Sequence, residues 1–539
     1  MAISPMRAAS EPSRTSARLE SFDPASGEVI ACFEVTPFVE LPAILECAQR
    51  TQREWAAQPL RRRCERLRRL RGVLFDRRHE LVDMVTRETG KPRVEALFHD
   101  VLIALDTADY YARRAPRLLR PERVPHHNLA LRAKSAWLHY EPVGVLGIIA
   151  PWNYPLSIPL GQAIPAVAAG NAVVLKPSEL TPWCGAVIRD VFEQAGFPRG
   201  LVQVVQGGGE VGAALLDAIT PENGPHKFVF TGSVATGRRV AEACARKLVP
   251  CVLELGGKDS MIVLADAHLD VAASAAVWGA FTNCGQACLS VERLYVEASV
   301  ADRFTALCVA KTCSLRLGPG SDPETDVGPL IRPQQLERVE EHLRDATARG
   351  ARILAGGRRR PDLGPCFFEP TVITNVDHSM RLMQEETFGP VLPICVVRDV
   401  GEAVRLANDS PFGLSASVWS RNKRRAREIA AQLRAGSVLV NDVASYYASC
   451  EAPHGGCGWS GWGRTHGRAG LLEMVHLKYV DVDHLARWPK SWWYGYNEQL
   501  LAAGDRFVEF LLAPNWRRRV QNLPGAVRLL PFARSSRRV

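Results

Sequence analysis

The stretch 227–248, KFVFTGSVATGRRVAEACARKL, contains the pattern that decides the fold. Its first part, KFVFTGS, is a short apolar run rich in aromatic and β-branched residues, and it ends in glycine and serine, which is typical of a buried strand. The remainder has the spacing of an amphipathic helix. A buried strand that leads directly into a helix predicts one unit of a parallel α/β sheet.

The same alternation of strand and helix extends in both directions along the chain. It begins with NAVVLKP at residue 171, and a second alternating series after residue 256 continues to AGSVLVND near residue 441. Strand–helix alternation of this period predicts an α/β fold with doubly wound parallel sheets. Two such units in succession usually form a cleft, with ligands at the carboxyl ends of the strands.

Composition excludes several classes of protein. The 539 residues suffice for two or three domains, and 47% hydrophobic with 23% charged residues is an ordinary globular balance. No apolar run is long enough to span a bilayer, and the first twenty residues lack the apolar core of a secretory signal. We interpret the arginine runs at 61–63 and 68–71 as solvated helix faces, so no nucleic-acid partner is predicted despite the net charge of +10.

The cysteine pattern predicts a reduced, cytoplasmic protein. Fourteen cysteines are scattered along the chain without a CxxC pair. The thirteen histidines do not bracket them at zinc-finger spacing, so no metal site is predicted.

Two turns have the residues that a nucleotide requires. In FTGSVATG at 230–237, Gly232 permits a tight turn before a helix that begins near Ala235, so free helix N–H groups face a phosphate. In LKPSE at 175–179, Lys176 and Glu179 follow a strand and could hydrogen-bond ribose hydroxyls. Each turn taken alone is also consistent with an ordinary solvated turn, since the sequence lacks a GxGxxG pattern followed by an acidic residue about twenty positions later.

Three residues have the chemistry of acyl transfer. Cys288 follows a Gly-Gln turn in FTNCGQACL, where amide dipoles and a cationic cofactor would favour its thiolate. Glu254 precedes a Gly-Gly turn and could act as a general base on water. Asn153 lies between two prolines in PWNYP and could donate to an oxyanion.

From about residue 20 to about residue 480, the chain resembles the aldehyde dehydrogenase superfamily. The resemblance rests on seven motifs in the family's order: PWNYP, LKPSE, FTGSVATG, ELGGK, GQAC, EETFGPV at 385–391 and GGCGWSGWGR at 455–464. It implies oxidation of an aldehyde to the acid through a thiohemiacetal and a thioester on Cys288, with water activated by Glu254 and the oxyanion held by Asn153. It also implies NAD as the cofactor, with NADP as the alternative, and a homodimer or homotetramer.

The resemblance also assigns the cofactor contacts. The residues that match family positions for the nicotinamide, ribose, pyrophosphate and adenine contacts are Trp152, Lys176, Glu179, Gly208, Gly212, Thr231, Gly232, Ser233, Glu386 and Phe388. The sequence departs from the family at Pro453-His454-Gly455-Gly456, where phenylalanine is usual in place of His454, and at Gly458, where lysine is common. These departures bear on specificity rather than on chemistry.

The domain organisation follows from the same comparison. We predict a disordered arm at 1–20, a Rossmann-type cofactor domain from 21–130 and 145–255, and an α/β catalytic domain at 256–440. An oligomerisation β-hairpin from 131–144 and 441–480 would complete the family's body.

Residues 481–539 extend beyond that body and leave two alternatives open. An aromatic cluster (Trp488, Trp492, Trp493, Tyr494, Tyr496) precedes an apolar helical stretch at 500–512, and seven arginines follow, at 517, 518, 519, 528, 534, 537 and 538. These are the ingredients of a peripheral membrane contact. Alternatively, the aromatic helix packs on protein and leaves only the arginines exposed.

Two other functions are weighed against aldehyde oxidation by hydrolysis. A CoA-acylating enzyme would not need the base Glu254, and a scaffold that has lost its activity would not need an activated thiol. Which aldehyde is the substrate is left open.

Overall fold

The computed structural model describes residues 17–128, 131–218, 220, 224–487, 490 and 493–524. Most of the predicted disordered arm, residues 1–16, lies outside them, but residues 18–20 belong to a strand. The fold forms two compact units, which are separated between Leu118 and Leu119, between Glu141 and Pro142, and between His476 and Leu477.

The described strands are numbered in chain order. They are β1 Arg18–Phe22, β2 Val29–Glu34, β3 Glu122–Val124, β4 Lys134–Pro142, β5 Val145–Ile149, β6 Ala172–Lys176, β7 Val202–Val204, β8 Lys227–Thr231, β9 Cys251–Glu254, β10 Asp259–Val263, β11 Val291–Glu297, β12 Arg352–Ala355, β13 Thr371–Thr374, β14 Val391–Val397, β15 Ser415–Trp419, β16 Ser437–Val440, β17 Gly461–Trp462 and β18 Val475–Asp483.

The described α-helices are numbered in the same way. They are α1 Leu41–Ala56, α2 Leu60–Asp76, α3 Arg78–Thr89, α4 Arg93–Glu95, α5 Leu102–Leu118, α6 Ser157–Ala169, α7 Pro182–Gln194, α8 Gly209–Asp217, α9 Val234–Arg246, α10 Leu269–Phe281, α11 Ala301–Cys313, α12 Pro333–Ala348, α13 Arg381–Gln384, α14 Val400–Asn408, α15 Lys423–Ala430, α16 Gly467–Leu472, α17 Glu498–Leu512 and α18 Trp516–Gln521. A π-helical segment, Ala96–Val101, joins α4 to α5.

A six-stranded sheet confirms the prediction made from 227–248. Its order is β17-β9-β8-β5-β6-β7, and every neighbouring pair is parallel except β17 with β9. The central strands are buried along most of their length because helices cover a parallel sheet on both faces. The chain leaves β5 for β6 on one side and later returns as β8 on the other side. This reversal of strand order opens a crevice at the carboxyl ends of β5 and β8.

A seven-stranded sheet follows in the chain. Its order is β12-β13-β14-β11-β10-β15-β16, and only β12 runs antiparallel to its neighbour. Buried side chains of α10, α11 and α12 pack with these strands in one hydrophobic core. The predicted second α/β series is therefore confirmed, and it ends at β16, close to the predicted residue 441.

The second unit contains a three-stranded sheet of order β18-β4-β3, together with α17 and α18. Two of the predicted domain boundaries differ from this arrangement. Residues 441–476 belong to the first unit rather than with 131–144, and β17 pairs with β9 of the six-stranded sheet because Gly461 lies against Leu253. Residues 119–130, which were predicted to belong with 21–130, fall in the second unit.

Candidate active site

The carboxyl edge of the six-stranded sheet collects side chains from neighbouring strands. Trp152 and Asn153 follow β5, Lys176 is the last residue of β6, Thr231 is the last residue of β8 and Glu254 is the last residue of β9. Because parallel strands place their carboxyl ends on one edge, residues that are far apart in the sequence meet here. The fold therefore brings the predicted base close to several of the predicted cofactor residues.

The turn after β8 has the geometry that was predicted for a phosphate site. Gly232 leads from β8 into α9, and the Gly232 N–H donates to the Glu254 carbonyl at 3.0 Å. Ser233 caps α9, its hydroxyl accepting from the Thr236 N–H at 3.3 Å, and the first turn of this thirteen-residue helix is largely exposed. The helix begins at Val234, one residue before the predicted start. An exposed helix N-terminus of this kind attracts an anion.

The predicted ribose contacts lie at the carboxyl end of β6, two strands from β8 in the same sheet. The buried Lys176 ammonium donates to the Pro177 carbonyl at 2.8 Å and lies 3.5 Å from a Glu179 carboxylate oxygen. Burial lowers the pKa of Lys176, and the Glu179 charge partly offsets this effect. Gly212 lies close to Lys176, since a Cβ at position 212 would lie 3.4 Å from the Lys176 side chain. The Lys176 ammonium is a donor and the exposed Glu179 carboxylate is an acceptor, and two neighbouring ribose hydroxyl groups require this combination.

The segment with Glu386 and Phe388 is fixed against the Gly256–Gly257 turn. A Glu386 carboxylate oxygen accepts from the Gly257 N–H at 3.1 Å, and the Phe388 ring lies edge-on to the Trp152 ring with centroids 5.5 Å apart. The buried Glu292 carboxylate holds this segment by accepting from the Thr387 and Phe388 N–H groups, and its charge is paired with the Lys258 ammonium. These contacts fix Glu386 and Phe388 beside the Gly256–Gly257 turn and Trp152.

Cys288 lies on a loop held by close backbone packing. A Cβ at Gly285, whose φ is +71°, would lie 2.2 Å from the Gly389 carbonyl oxygen, so glycine is required there. Cys288 is partly exposed and lines a cavity of about 360 Å³ together with Glu254. Cys284, four residues earlier, is instead buried in the hydrophobic core.

Burial dominates the electrostatics of both groups. It raises the pKa of the Cys288 thiol, with further contributions from Asp259, Glu386 and Glu254, whereas the backbone hydrogen bond acts weakly in the opposite direction. Amide dipoles alone therefore do not produce the thiolate that the sequence suggested. Burial also raises the pKa of Glu254 well above that of an ordinary carboxyl.

Asn153 is buried beside the loop that leads to Cys288. The side-chain amide of Asn153 donates to the Gln286 backbone carbonyl at 3.0 Å. The backbone carbonyl of Asn153 accepts from the Lys91 ammonium at 2.8 Å and from the Asn283 side-chain amide at 2.9 Å. Its side chain is not among the described residues that line the cavity. The structure thus places Asn153 next to the loop that contains Cys288, and one hydrogen of its side-chain amide has no partner among the described residues.

Several cavity residues were not identified from the sequence, although one of them, Tyr154, lies in the PWNYP motif. They come from the π-helical segment, from α5, α6 and α10, from the loop before α6 and from the turn at 444–448, and they include Phe98, His99, Leu102, Tyr154, Trp278 and Tyr447. A cavity whose walls come from several elements cannot be identified from any one stretch of the sequence.

His454, noted above as a departure, lies beside the predicted base. Its Nε2 atom is 3.6 Å from a Glu254 carboxylate oxygen, and its Nδ1 atom is 3.0 Å from the Tyr446 hydroxyl. Burial lowers the pKa of His454 to about 3, with His466 and Arg464 contributing, so the ring is neutral at physiological pH. This residue therefore shapes the cavity without adding charge.

Comparison with known proteins shows the family. The model of the aldehyde dehydrogenase family matches residues 11–480. The chain belongs to the aldehyde dehydrogenase family. Oxidation of an aldehyde to the acid with reduction of NAD(P) is therefore its activity.

Two curated relatives illustrate the range of substrates in the family. A Mycobacterium ulcerans protein provisionally named an NADP-dependent succinate-semialdehyde dehydrogenase is 42% identical over 457 residues, which are 84% of this chain and 86% of the relative. The 4,4'-diapolycopene aldehyde oxidase of a Methylomonas species is 38% identical over 494 residues, which are 92% and 91% of the two chains.

A solved structure shares the fold. The NAD+ complex of an aldehyde dehydrogenase from Bacillus cereus matches with a TM-score of 0.82 and 32% identity, over 87% of this chain and 94% of that chain.

Proposed function

We propose that Cys288 is the nucleophile of the aldehyde dehydrogenase reaction, that Glu254 activates the hydrolytic water and that Asn153 stabilises the oxyanion. The observation that supports this most strongly is that Cys288 and Glu254 line the same cavity. The Glu254 side chain is 3% exposed, and neither of its carboxylate oxygens has a hydrogen-bond partner among the described residues. A buried carboxyl without donors is disfavoured unless it has a chemical role.

Each step then uses a specific atom of the protein. The Cys288 sulfur attacks the carbonyl carbon to form a thiohemiacetal, and the free Asn153 amide hydrogen and the Cys288 N–H donate to its oxygen. A bound nicotinamide would supply the hydride acceptor, and loss of the hydride from the thiohemiacetal carbon and of its hydroxyl proton to solvent would leave a thioester on Cys288. Glu254 takes a proton from water, the water oxygen adds to the thioester carbon, and the Cys288 thiolate leaves as the acid forms.

Replacement of the nucleophile tests this assignment. We expect Cys288→Ala to lose aldehyde-dependent NADH formation and to keep its affinity for NAD within about twofold, since no described contact of the nucleotide crevice depends on the thiol. Cys284→Ala is the matched control, because that thiol is buried in the core, and it should stay active. Turnover of one tenth of wild type or more in Cys288→Ala would contradict the assignment.

We propose the same residues for the cofactor that the resemblance assigns. The exposed start of α9 with Thr231, Gly232 and Ser233 suits the pyrophosphate, Lys176 and Glu179 suit the ribose, and Gly208 and Gly212 suit the adenine side. Trp152, Glu386 and Phe388 would hold the nicotinamide riboside. The exposed carboxylate of Glu179 favours NAD over NADP because it repels a 2′-phosphate.

We assign the six-stranded sheet to cofactor binding, the seven-stranded sheet to catalysis and the sheet β18-β4-β3 to assembly of a homodimer or homotetramer. Support for assembly comes from β18, which lies at the edge of its sheet with Leu477, Tyr479 and Val482 exposed. Exposed apolar edge strands tend to pair with another chain. A cytoplasmic location is supported by the fourteen cysteines, all free of disulfides.

We propose, as a second function, a peripheral membrane contact of the C-terminal extension. Leu501 and Leu512 of α17 are 74% and 67% exposed, and Arg517, Arg518 and Arg519 follow in α18. Exposed apolar groups beside a run of cations are typical of helices that bind anionic membranes. Trp488, Trp492 and the arginines at 528, 534, 537 and 538 lie outside the described residues. No helix in the described part of the chain has the length and apolarity to cross a bilayer.

Flotation with vesicles of anionic lipid tests the contact. The full chain should float at low salt and dissociate as salt rises, because charges near a surface are screened. Leu501→Glu combined with Leu512→Glu should abolish flotation without loss of aldehyde oxidation. If the full chain stays with the soluble fraction at low salt, the extension is a packing element.

A further inference from the structure

We propose, on the basis of the function proposed above, that the cavity selects a neutral aldehyde with an extended apolar or aromatic body and discriminates against semialdehydes that bear a carboxylate. This inference deepens the assignment of Cys288 and concerns the substrate class.

The walls and mouth of the cavity are mostly apolar, and its neutral polar lining residues are Gln162, Thr231, Thr282, Ser445 and Thr465. Side chains of Ile103, Tyr154 and Ile158 line its interior together with Cys288. At the mouth, Phe98, Leu102 and Trp278 are 52%, 46% and 42% exposed. Apolar side chains that stay open to water at the entrance of a pocket gain free energy when an apolar ligand covers them.

The cavity offers no cation to a carboxylate. None of its described lining residues is lysine or arginine. The nearby Arg464 guanidinium donates to the Gly456 and Gly463 carbonyls. The Lys91 ammonium lies under the Tyr154 ring, fully buried, and is bound to Asp100 and to the Asn153 carbonyl.

The histidines of the cavity do not supply the missing charge. Burial lowers the pKa of His99 to about 4 and that of His454 to about 3, so both rings are neutral at pH 7. The remaining ionisable groups, Glu254, Cys288 and the tyrosines, are acids, and their ionisation would repel a carboxylate. A carboxylate that entered this space would lose its water without gaining an ionic partner, which is strongly unfavourable.

The volume fits a medium-sized body. About 360 Å³ is within the usual range for small-molecule sites, and the apolar mouth provides contact for chains that extend beyond it. Each additional buried methylene should therefore raise kcat/KM, by up to about fourfold. The substrates expected for this chain therefore differ from the semialdehyde in the name of the Mycobacterium ulcerans relative.

A matched pair of aldehydes tests the inference directly. Succinate semialdehyde (4-oxobutanoate) and 4-methylpentanal have the same carbon spacing, and the carboxylate of the first is replaced by an isopropyl group in the second. We expect wild-type enzyme with NAD, assayed by NADH absorbance, to use 4-methylpentanal with at least tenfold higher kcat/KM. We expect kcat/KM to rise further from hexanal to decanal.

A pair of variants tests whether charge is the cause. Leu102→Arg adds a cation at the mouth and should raise the kcat/KM ratio of semialdehyde to 4-methylpentanal at least fivefold. Leu97→Arg adds the same charge at a neighbouring exposed leucine that is not among the described lining residues, and it should leave the ratio unchanged.

The outcomes separate this inference from the function on which it rests. If wild type uses the semialdehyde as well as or better than 4-methylpentanal, or if Leu102→Arg and Leu97→Arg give the same ratio, the substrate inference is overturned while Cys288-dependent oxidation stands. If wild type forms no NADH with any of these aldehydes, or if Cys288→Ala oxidises them, it is the proposed function that fails.

Discussion

At the scale of the residue, burial determines the pKa of Glu254, the proposed base. Burial is the main cause of its raised pKa, and Arg464, the next contribution, acts in the opposite direction. A carboxylic acid with a raised pKa keeps its proton to a higher pH than an ordinary glutamate, and it can accept a proton from water only after losing its own.

This gives a pH dependence with a definite sign. Hydrolysis of the thioester should accelerate as pH rises through the raised pKa of Glu254 and level off above it. Single-turnover measurement of acid release should show this rise, and Glu254→Gln should slow release at least a hundredfold and produce or enlarge a burst of NADH. A wild-type release rate that is flat from pH 5 to pH 9, or unchanged steady-state turnover in Glu254→Gln, would show that another group is the base.

Glu179 should determine the choice of cofactor. Its carboxylate lies 3.5 Å from the Lys176 ammonium and is accessible to a ribose. Replacement by glutamine removes the repulsion of a 2′-phosphate and leaves the lysine free to bind it, so kcat/KM with NADP relative to NAD should rise about tenfold. Glu242→Gln, at an exposed carboxylate that pairs with Arg246 on α9, is the control. An unchanged ratio in Glu179→Gln would remove Glu179 from this role.

Some residues of the site belong to short sequence motifs, whereas others are defined only by contacts between distant parts of the chain. Cys288, Glu254, Lys176 and Asn153 could be predicted because each belongs to a short motif at a strand end or turn. The role of Lys91 could not, since it depends on contacts with Asp100, nine residues away, and Asn153, sixty-two residues away. No periodicity or spacing encodes a contact of that range.

At the scale of the element, the connection from α3 to α5 supports the loop that contains Asn153. Lys91 follows α3, and Asp100 lies in the π-helical segment, where its carboxylate also accepts from the Leu156 and Ser157 N–H groups at the start of α6. Lys91 joins these elements to Asn153. A break in this buried network should therefore affect both stability and catalysis.

We expect Lys91→Met to lower the free energy of unfolding by about 3–5 kcal/mol, since it leaves the Asp100 carboxylate buried without its cation. It should also lower kcat, because Asn153 loses a hydrogen bond that positions it. Arg93→Met is the control: Arg93 forms an exposed pair with Asp83, so its loss should cost about 1 kcal/mol or less. Urea unfolding that gives equal values for the two variants would contradict the account.

Helices with a sustained hydrophobic period were predicted well from the sequence, and short strands were not. The helix α9 lies within two residues of the predicted helical segment 234–248 at both ends, because its apolar spacing is sustained over three turns. The two-residue strand β17 was missed, since Gly461 and Trp462 show no alternation. Its pairing depends on how closely Gly461 approaches β9, which only the assembled sheet reveals.

At the scale of the whole molecule, the exposed edge strand β18 predicts assembly in solution. Sedimentation should give a mass of two or four times 59.3 kDa. Leu477→Lys should shift the distribution towards the monomer, because it places a charge in an apolar edge. Leu248→Lys changes an equally apolar exposed leucine of the other unit and should have no effect. A wild-type protein that sediments as a monomer would contradict the prediction.

The central claim, a thioester on Cys288, can be measured directly. Glu254→Gln enzyme, mixed with NAD and 4-methylpentanal and quenched in acid, should accumulate the acyl group, and mass spectrometry of peptides should find it on Cys288 with one NADH formed per acylated site. Cys288→Ala in the same background should give neither the acyl peptide nor NADH. Stoichiometric NADH without an acyl group on Cys288, or with the acyl group on another residue, would contradict the account.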